Sequence, residues 1–205
     1  MAHKKVILIR HGRTKGNEEK RYIGRRNDET LSDKGIDEAK RAALRITEQI
    51  GGIPDRICTG PLRRTMQTAE MLFPESGQIL VYDLTETEFG VFEGKNYQEL
   101  NGDEDYQKWI DSGGNLDIPG GESRAVFIGR SFRAFKEALG DPAKDETVAI
   151  ICHGGNVMAV MMRLTGGDFY DYMTGNLSGY KLELETDNER IDLIAYHKFD
   201  AGDNT

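Results

Sequence analysis

Hydrophobic positions along the chain fall into two periods. "KVILIR" (Lys5 to Arg10) is an unbroken apolar run closed by a charged residue, the pattern of a strand buried on both faces. After a polar loop from Gly12 to Thr30, Ile36, Ala39, Ala43, Ile46 and Ile50 recur at alternating spacings of three and four. That spacing predicts a helix capped by Ser32 and running to about Ile50. "DRICTG" predicts a short strand, and Pro61 suits the first turn of a helix whose face is Leu62, Met66, Ala69 and Phe73. "QILVYD" reads as a third strand. Gly94 to Gly121 is polar and Gly-rich, with short helical pieces at best.

Helical spacing returns from Glu122 to Leu139, with Ala125, Ile128, Phe132, Phe135 and Leu139 in phase. "TVAIIC" is the most apolar strand, and Val157 to Leu164 a further helix. "GYKLELET" and "RIDLIAYH" alternate as a hairpin around "DN". Strands alternating with helices predict an α/β fold: a three-layer sandwich with a mostly parallel central sheet and helices on both faces. One domain over residues 1–205 is expected, with 94–121 as a short lid-like insertion.

Charge narrows the choice of partner. A net charge of -8 argues against a general nucleic-acid or anionic-membrane surface, although a pocket can still carry a local positive field. The N-terminal segment has no apolar leader, and no apolar run reaches the roughly 20 residues of a membrane span. A cytoplasmic location is expected. Cys58 and Cys152 stand in no ligand spacing and read as buried thiols.

Candidate chemistry sits at the strand ends. Two strands finish in the same way, as Arg10-His11-Gly12 and as His153-Gly154-Gly155. Open α/β sheets bind ligands at the carboxyl ends of their strands, and glycine there lets a ligand approach the backbone. A buried arginine is costly unless an anion meets it. Arg63 and Arg64 begin a helix where an anion, not a cation, is favoured. One of the two is therefore expected at a bound anion, the other in solvent. "LTETEFGVFEG" crowds Glu86 and Glu88 into one loop and supplies a proton donor. His3 and His197 have no such context.

Taken together, "RHGRTKGN", "GPLRRTMQTA", "LTETEFGVFEG", "PGGES" and "CHGGN" resemble the blocks of the histidine phosphatase superfamily, in its phosphoglycerate mutase-like branch. The resemblance extends from Val6 to about Ser178. It departs at Gly60, Thr65, Phe92 and Cys152, where the family has Ser, Ala, Trp and Ser. It implies that His11 is the nucleophile and forms a phosphohistidine. Arg10, Arg64 and His153 would clamp the phosphoryl group, with Asn17 as an additional donor. Thr14 and the amides around Ile23, Gly24 and Gly154 would contribute to the pocket wall. The family pattern places the proton donor at Glu86, where the residues alone leave Glu86 and Glu88 undivided. An attacking imidazole must be neutral, so a backbone carbonyl on its other N–H and nearby arginines are expected.

The implied activity is a metal-independent phosphatase acting on a small phosphorylated metabolite, with no cofactor, no metal, no nucleic acid and no membrane. One alternative is a cofactor-dependent phosphoglycerate mutase, although the resemblance implies a longer insertion after the Glu86 block in mutases. A second is a phospho-ligand-binding pseudoenzyme, which would have lost the nucleophile or the acid. Tyr97, Tyr106 and Trp109 either wall the entrance or pack the loop onto the sheet.

Overall fold

A computed structural model describes residues 1–202. The first strand, β1 (Ala2–Arg10), lies inside a six-stranded sheet. The others are β2 (Arg56–Thr59), β3 (Ile79–Leu80), β4 (Glu146–Cys152), β5 (Ser178–Thr186) and β6 (Ile191–Asp200). Their order is β3-β2-β4-β1-β5-β6. The β3-β2, β2-β4 and β4-β1 pairs are parallel, whereas β1-β5 and β5-β6 are antiparallel. The sheet is therefore mixed: parallel where crossover helices link its strands, antiparallel where the C-terminal hairpin is added.

Alternation along β1 divides the core. Val6 and Leu8 face one layer with Phe135, Val157, Val160 and Met161, while Ile7 and Ile9 face the other with Ala39, Ala42, Ile46, Ala69 and Leu72. The helices supplying these layers are α2 (Asp33–Ile50) and α3 (Arg63–Leu72) on one side, and α5 (Arg124–Ala138) and α6 (Gly154–Thr165) on the other. Ser32 caps α2 by accepting from the Gly35 amide, and Gly51 ends it at φ 78°. That left-handed conformation is the one glycine adopts without a Cβ penalty.

Several elements differ from the sequence expectation. "QILVYD" shrinks to the two-residue β3 at the sheet edge, with an exposed Ile79 and Leu80. The loop expected from Gly12 to Thr30 contains α1 (Lys15–Glu18), whereas α4 (Glu104–Asp111) is one of the short helical pieces expected between Gly94 and Gly121. Helix α6 starts at Gly154, three residues before the first apolar position, so both glycines of "HGG" belong to its first turn. The buried face of α5 is Phe127, Arg130, Ser131, Ala134, Phe135 and Ala138, and Ala125 is exposed. Two polar residues occupy this face because they support the site described next. No helix among the described residues is long and apolar enough to cross a membrane.

Candidate active site

Register brings the two histidines together. Arg10 pairs with Cys152 across β1 and β4, and the His11 amide donates to the Cys152 carbonyl at 2.9 Å. His11 and His153 follow these residues, and their ring centroids lie 5.1 Å apart. His11 donates its Nδ1–H to the Gly12 carbonyl at 2.7 Å, since a carbonyl only accepts. Its Nε2 keeps a lone pair. Burial first, then the Arg64 and Arg10 guanidiniums, hold the His11 ring well below the ordinary imidazole value.

Arg64 is fully buried while Arg63 is exposed, the division expected of the pair. The Arg64 guanidinium donates to the carbonyls of Asn27 (2.7 Å) and Gly24 (3.2 Å), and through Nε to Nδ1 of His153 (3.2 Å). His153 therefore carries its proton on Nε2, which is buried and has no partner among the described residues. Burial and Arg64 keep this ring neutral as well. Arg10 donates to the Thr174 carbonyl at 2.7 Å and leaves its buried Nε unpartnered. Buried donors are rarely left orphaned, and two in one place are of the kind an anion would satisfy.

Thr14 caps α1 in a reciprocal pair with Asn17: each backbone N–H donates to the other's side-chain oxygen at 3.2 Å. Asn176 also donates to the Asn17 side-chain oxygen (3.0 Å) and to the His11 carbonyl (2.9 Å). With its oxygen so engaged, Asn17 has its amide nitrogen left to offer. Ile23 is buried, its side chain against Gly16. Gly24 differs from the expected amide donor, because its N–H is taken by the Glu93 carboxylate at 2.7 Å and its carbonyl holds Arg64. A Cβ added at Gly154 would come into ordinary contact with the Arg10 side chain.

The two glutamates separate in space. Glu86 accepts from its neighbour's amide at Thr87 (2.8 Å) and from Gly155 in the first turn of α6 (3.1 Å). A Cβ at Gly155 would collide with the Glu86 carboxylate, which explains that glycine. Glu88 is instead clamped by Arg25 and Arg26. Burial raises its pKa, but the Arg25 hydrogen bond and the two cations outweigh this and keep it below the ordinary carboxylate value.

Residues to which the sequence assigned no role hold these groups in place. Arg130 donates to the carbonyls of Asp83 (2.6 Å), Thr85 (3.1 Å) and Glu86 (3.4 Å), and is itself held by both Glu122 oxygens (3.0 and 2.7 Å). Asn156 accepts from the His153 amide (3.2 Å) and donates to the Thr85 carbonyl (3.1 Å). Glu93 ties Gly24 to Phe89. The departures at Gly60 and Thr65 are linked, since the Thr65 hydroxyl lies 2.9 Å from the Gly60 carbonyl. A Cβ at residue 60 would meet the Leu84 carbonyl.

Of the three aromatic candidates, Trp109 lines the pocket beside Glu86. Tyr106 packs into the cluster of Tyr22, Phe92 and Trp109. Tyr97 is exposed.

Known proteins are similar to this chain in sequence and fold. The chain is 31% identical over 170 residues to the 2,3-bisphosphoglycerate-dependent phosphoglycerate mutase of Methylorubrum extorquens, covering 78% of this chain and 79% of that one. It is 28% identical over 188 residues to phosphoserine phosphatase 1 of Hydrogenobacter thermophilus, covering 88% and 87%. The phosphoserine phosphatase of Entamoeba histolytica, solved with 3-phosphoglyceric acid, superposes with a TM-score of 0.74 at 25% identity, covering 97% and 98%. Residues 6–196 match the family described as the histidine phosphatase superfamily (branch 1), and the chain belongs to it.

Proposed function

We propose that this protein is a phosphatase that hydrolyses small phosphomonoesters through a phosphohistidine on His11, with no metal ion. The observation that carries the reading is the Nδ1–H bond of His11 to Gly12, which leaves a neutral Nε2 among Arg10, Arg64 and the unpartnered Nε2–H of His153. Phosphoryl transfer needs positioning and positive charge around the moving oxygens more than covalent help. Arg10, Arg64 and His153 supply that charge, Asn17 adds its amide, and Thr14, Ile23 and Gly154 complete the wall.

In the first step Nε2 of His11 attacks phosphorus, the ester P–O bond breaks, and Glu86 gives its proton to the departing alcohol oxygen. The imidazolium that forms keeps its Nδ1–H on the Gly12 carbonyl. In the second step water attacks phosphorus, Glu86 takes a proton from it, and the P–N bond breaks to release orthophosphate. A pseudoenzyme reading is disfavoured because His11, Arg64, Glu86 and His153 are all present. The short 94–121 segment, which we read as lid-like, favours hydrolysis over mutase chemistry, because a mutase must shield its intermediate from water.

The test is release of inorganic phosphate from a panel of phosphomonoesters in the presence of chelator. His11→Ala should abolish it. Loss to chelator with recovery on adding a divalent cation, or efficient conversion of 3-phosphoglycerate to 2-phosphoglycerate in primed reactions, would overturn the reading.

A further inference from the structure

Beyond Glu86 the site opens into a second compartment with a different chemistry. Its wall is made largely of the rings of Tyr22, Phe89, Trp109, Phe127, Phe169 and Tyr170, with aliphatic side chains such as Leu116. Glu86 and Gly155 form its inner boundary. Two of the polar ends in the wall are already satisfied. The Tyr22 hydroxyl is bonded to that of Tyr106 at 3.0 Å. Both Glu122 oxygens are held by Arg130.

Arg124 is the single cation among the described residues that line this compartment. It donates to Asn115 (2.6 Å), to the Gly113 carbonyl (3.1 Å) and to the Tyr170 hydroxyl (2.9 Å), and its guanidinium lies over the Phe169 and Tyr170 rings. It bridges two sides of the mouth and is not an idle anion receptor. Arg25 and Arg26, three and four residues after Tyr22 of the wall, are spent on Glu88.

From this wall we infer the substrate class: phosphomonoesters whose alcohol carries a bulky, uncharged apolar or aromatic group, in preference to small alcohols bearing a carboxylate. The inference rests on the phosphatase reading above. Glu86 protonates the leaving oxygen, so the carbon skeleton attached to that oxygen starts at Glu86 and extends among the rings. An apolar group there leaves water for a surface of similar polarity. A carboxylate there would lose its hydration and find no uncommitted cation.

The experiment compares 2-phenylethyl phosphate with ethyl phosphate, two alkyl esters that demand similar help with the leaving group, alongside phosphoserine and 3-phosphoglycerate. We expect kcat/KM for 2-phenylethyl phosphate to exceed that for ethyl phosphate by on the order of tenfold to a hundredfold, the scale of burying one such group. Phosphoserine and 3-phosphoglycerate should fall below ethyl phosphate. Trp109→Ala, and separately Leu116→Ala at the half-exposed rim, should each reduce the phenylethyl-to-ethyl ratio. A ratio near one, or a preference for either carboxylate ester, would overturn the inference and leave the phosphatase reading intact. Hydrolysis of none of the four would overturn both.

Discussion

Arg64 donates its Nε–H to Nδ1 of His153 across 3.2 Å, and this one bond sets what His153 offers its neighbour. The proton of His153 must reside on Nε2. His11, bonded through Nδ1–H to Gly12, holds the opposite tautomer. Two imidazoles with centroids 5.1 Å apart thus present an electron pair and an N–H donor from the same ring position. One is equipped to attack phosphorus and the other to bind its oxygens.

This pairing predicts a spectroscopic signature. Nitrogen-15 NMR at about pH 6.5 should find both rings neutral, His11 protonated at Nδ1 and His153 at Nε2. An imidazolium signal from either ring at that pH would contradict the assignment.

Stability should follow from the same rings. Their folded pKa values are depressed by burial and by Arg64. Above the unfolded value of 6.5 both states are neutral, so these groups add no pH dependence. As pH falls below it, the unfolded chain binds protons that the folded chain refuses, and stability falls. Urea midpoints should therefore drop from about pH 7.5 to about pH 5.5, and His11→Gln should flatten part of that slope.

The orphaned donors should prefer an occupant. Vanadate or inorganic phosphate should raise the melting temperature, with stabilisation approaching ~2.7 kcal/mol at a hundredfold excess over Kd. Arg64→Ala should abolish the response in a thermal-shift titration. An unchanged response would remove Arg64 from the clamp.

Catalytic roles should separate by leaving group. His153→Ala should reduce kcat by about 10²–10³ on every substrate, the usual cost of one donor aimed at developing charge. Glu86→Gln should spare nitrophenyl phosphate and impair alkyl phosphates, because a good leaving group needs less protonation. Acid-labile, alkali-stable label should be trapped on His11 and persist, slowly formed, in His153→Ala. Label on His153 would reverse the assignment.

Arg130 supplies a test of positioning. It collects the carbonyls of Asp83, Thr85 and Glu86 on one guanidinium, so Arg130→Ala should reproduce the leaving-group pattern of Glu86→Gln in milder form. Gly155→Ala, which pushes a methyl into the Glu86 carboxylate, should do the same. Equal losses on nitrophenyl and alkyl phosphates would mark both changes as general damage.

Much of this was legible in the sequence where chemistry and periodicity coincide. His11 and His153 stand where an apolar run stops, and a strand end is visible in any such run. Arg64 against Arg63 was decided by the family pattern and agrees with burial on the helix. Glu86 and Glu88 have the same side chain two residues apart, so the residues alone leave them undivided, and the partners Arg25, Arg26 and Gly155, supplied by distant segments, separate them in space. Arg130 and Ser131 broke the apolar phase expected for α5, and their place on its buried face depends on long-range contacts that no local period encodes. The start of α6 was hidden because glycine disfavours helix interiors, while its first turn tolerates Gly154 and Gly155 for the close approach they permit.

The central position of β1 also sets a timetable. Its two partners are Glu146–Cys152 and Ser178–Thr186, so the strand that ends just before His11 stays unpaired on both edges until those distant segments reach it. His11 is therefore seated only after contacts with segments far along the sequence have formed. Contacts this distant in sequence form slowly. Until the sheet closes, His11 is held apart from His153 and Arg64, so on the phosphatase reading no active centre exists before β1 and β4 pair.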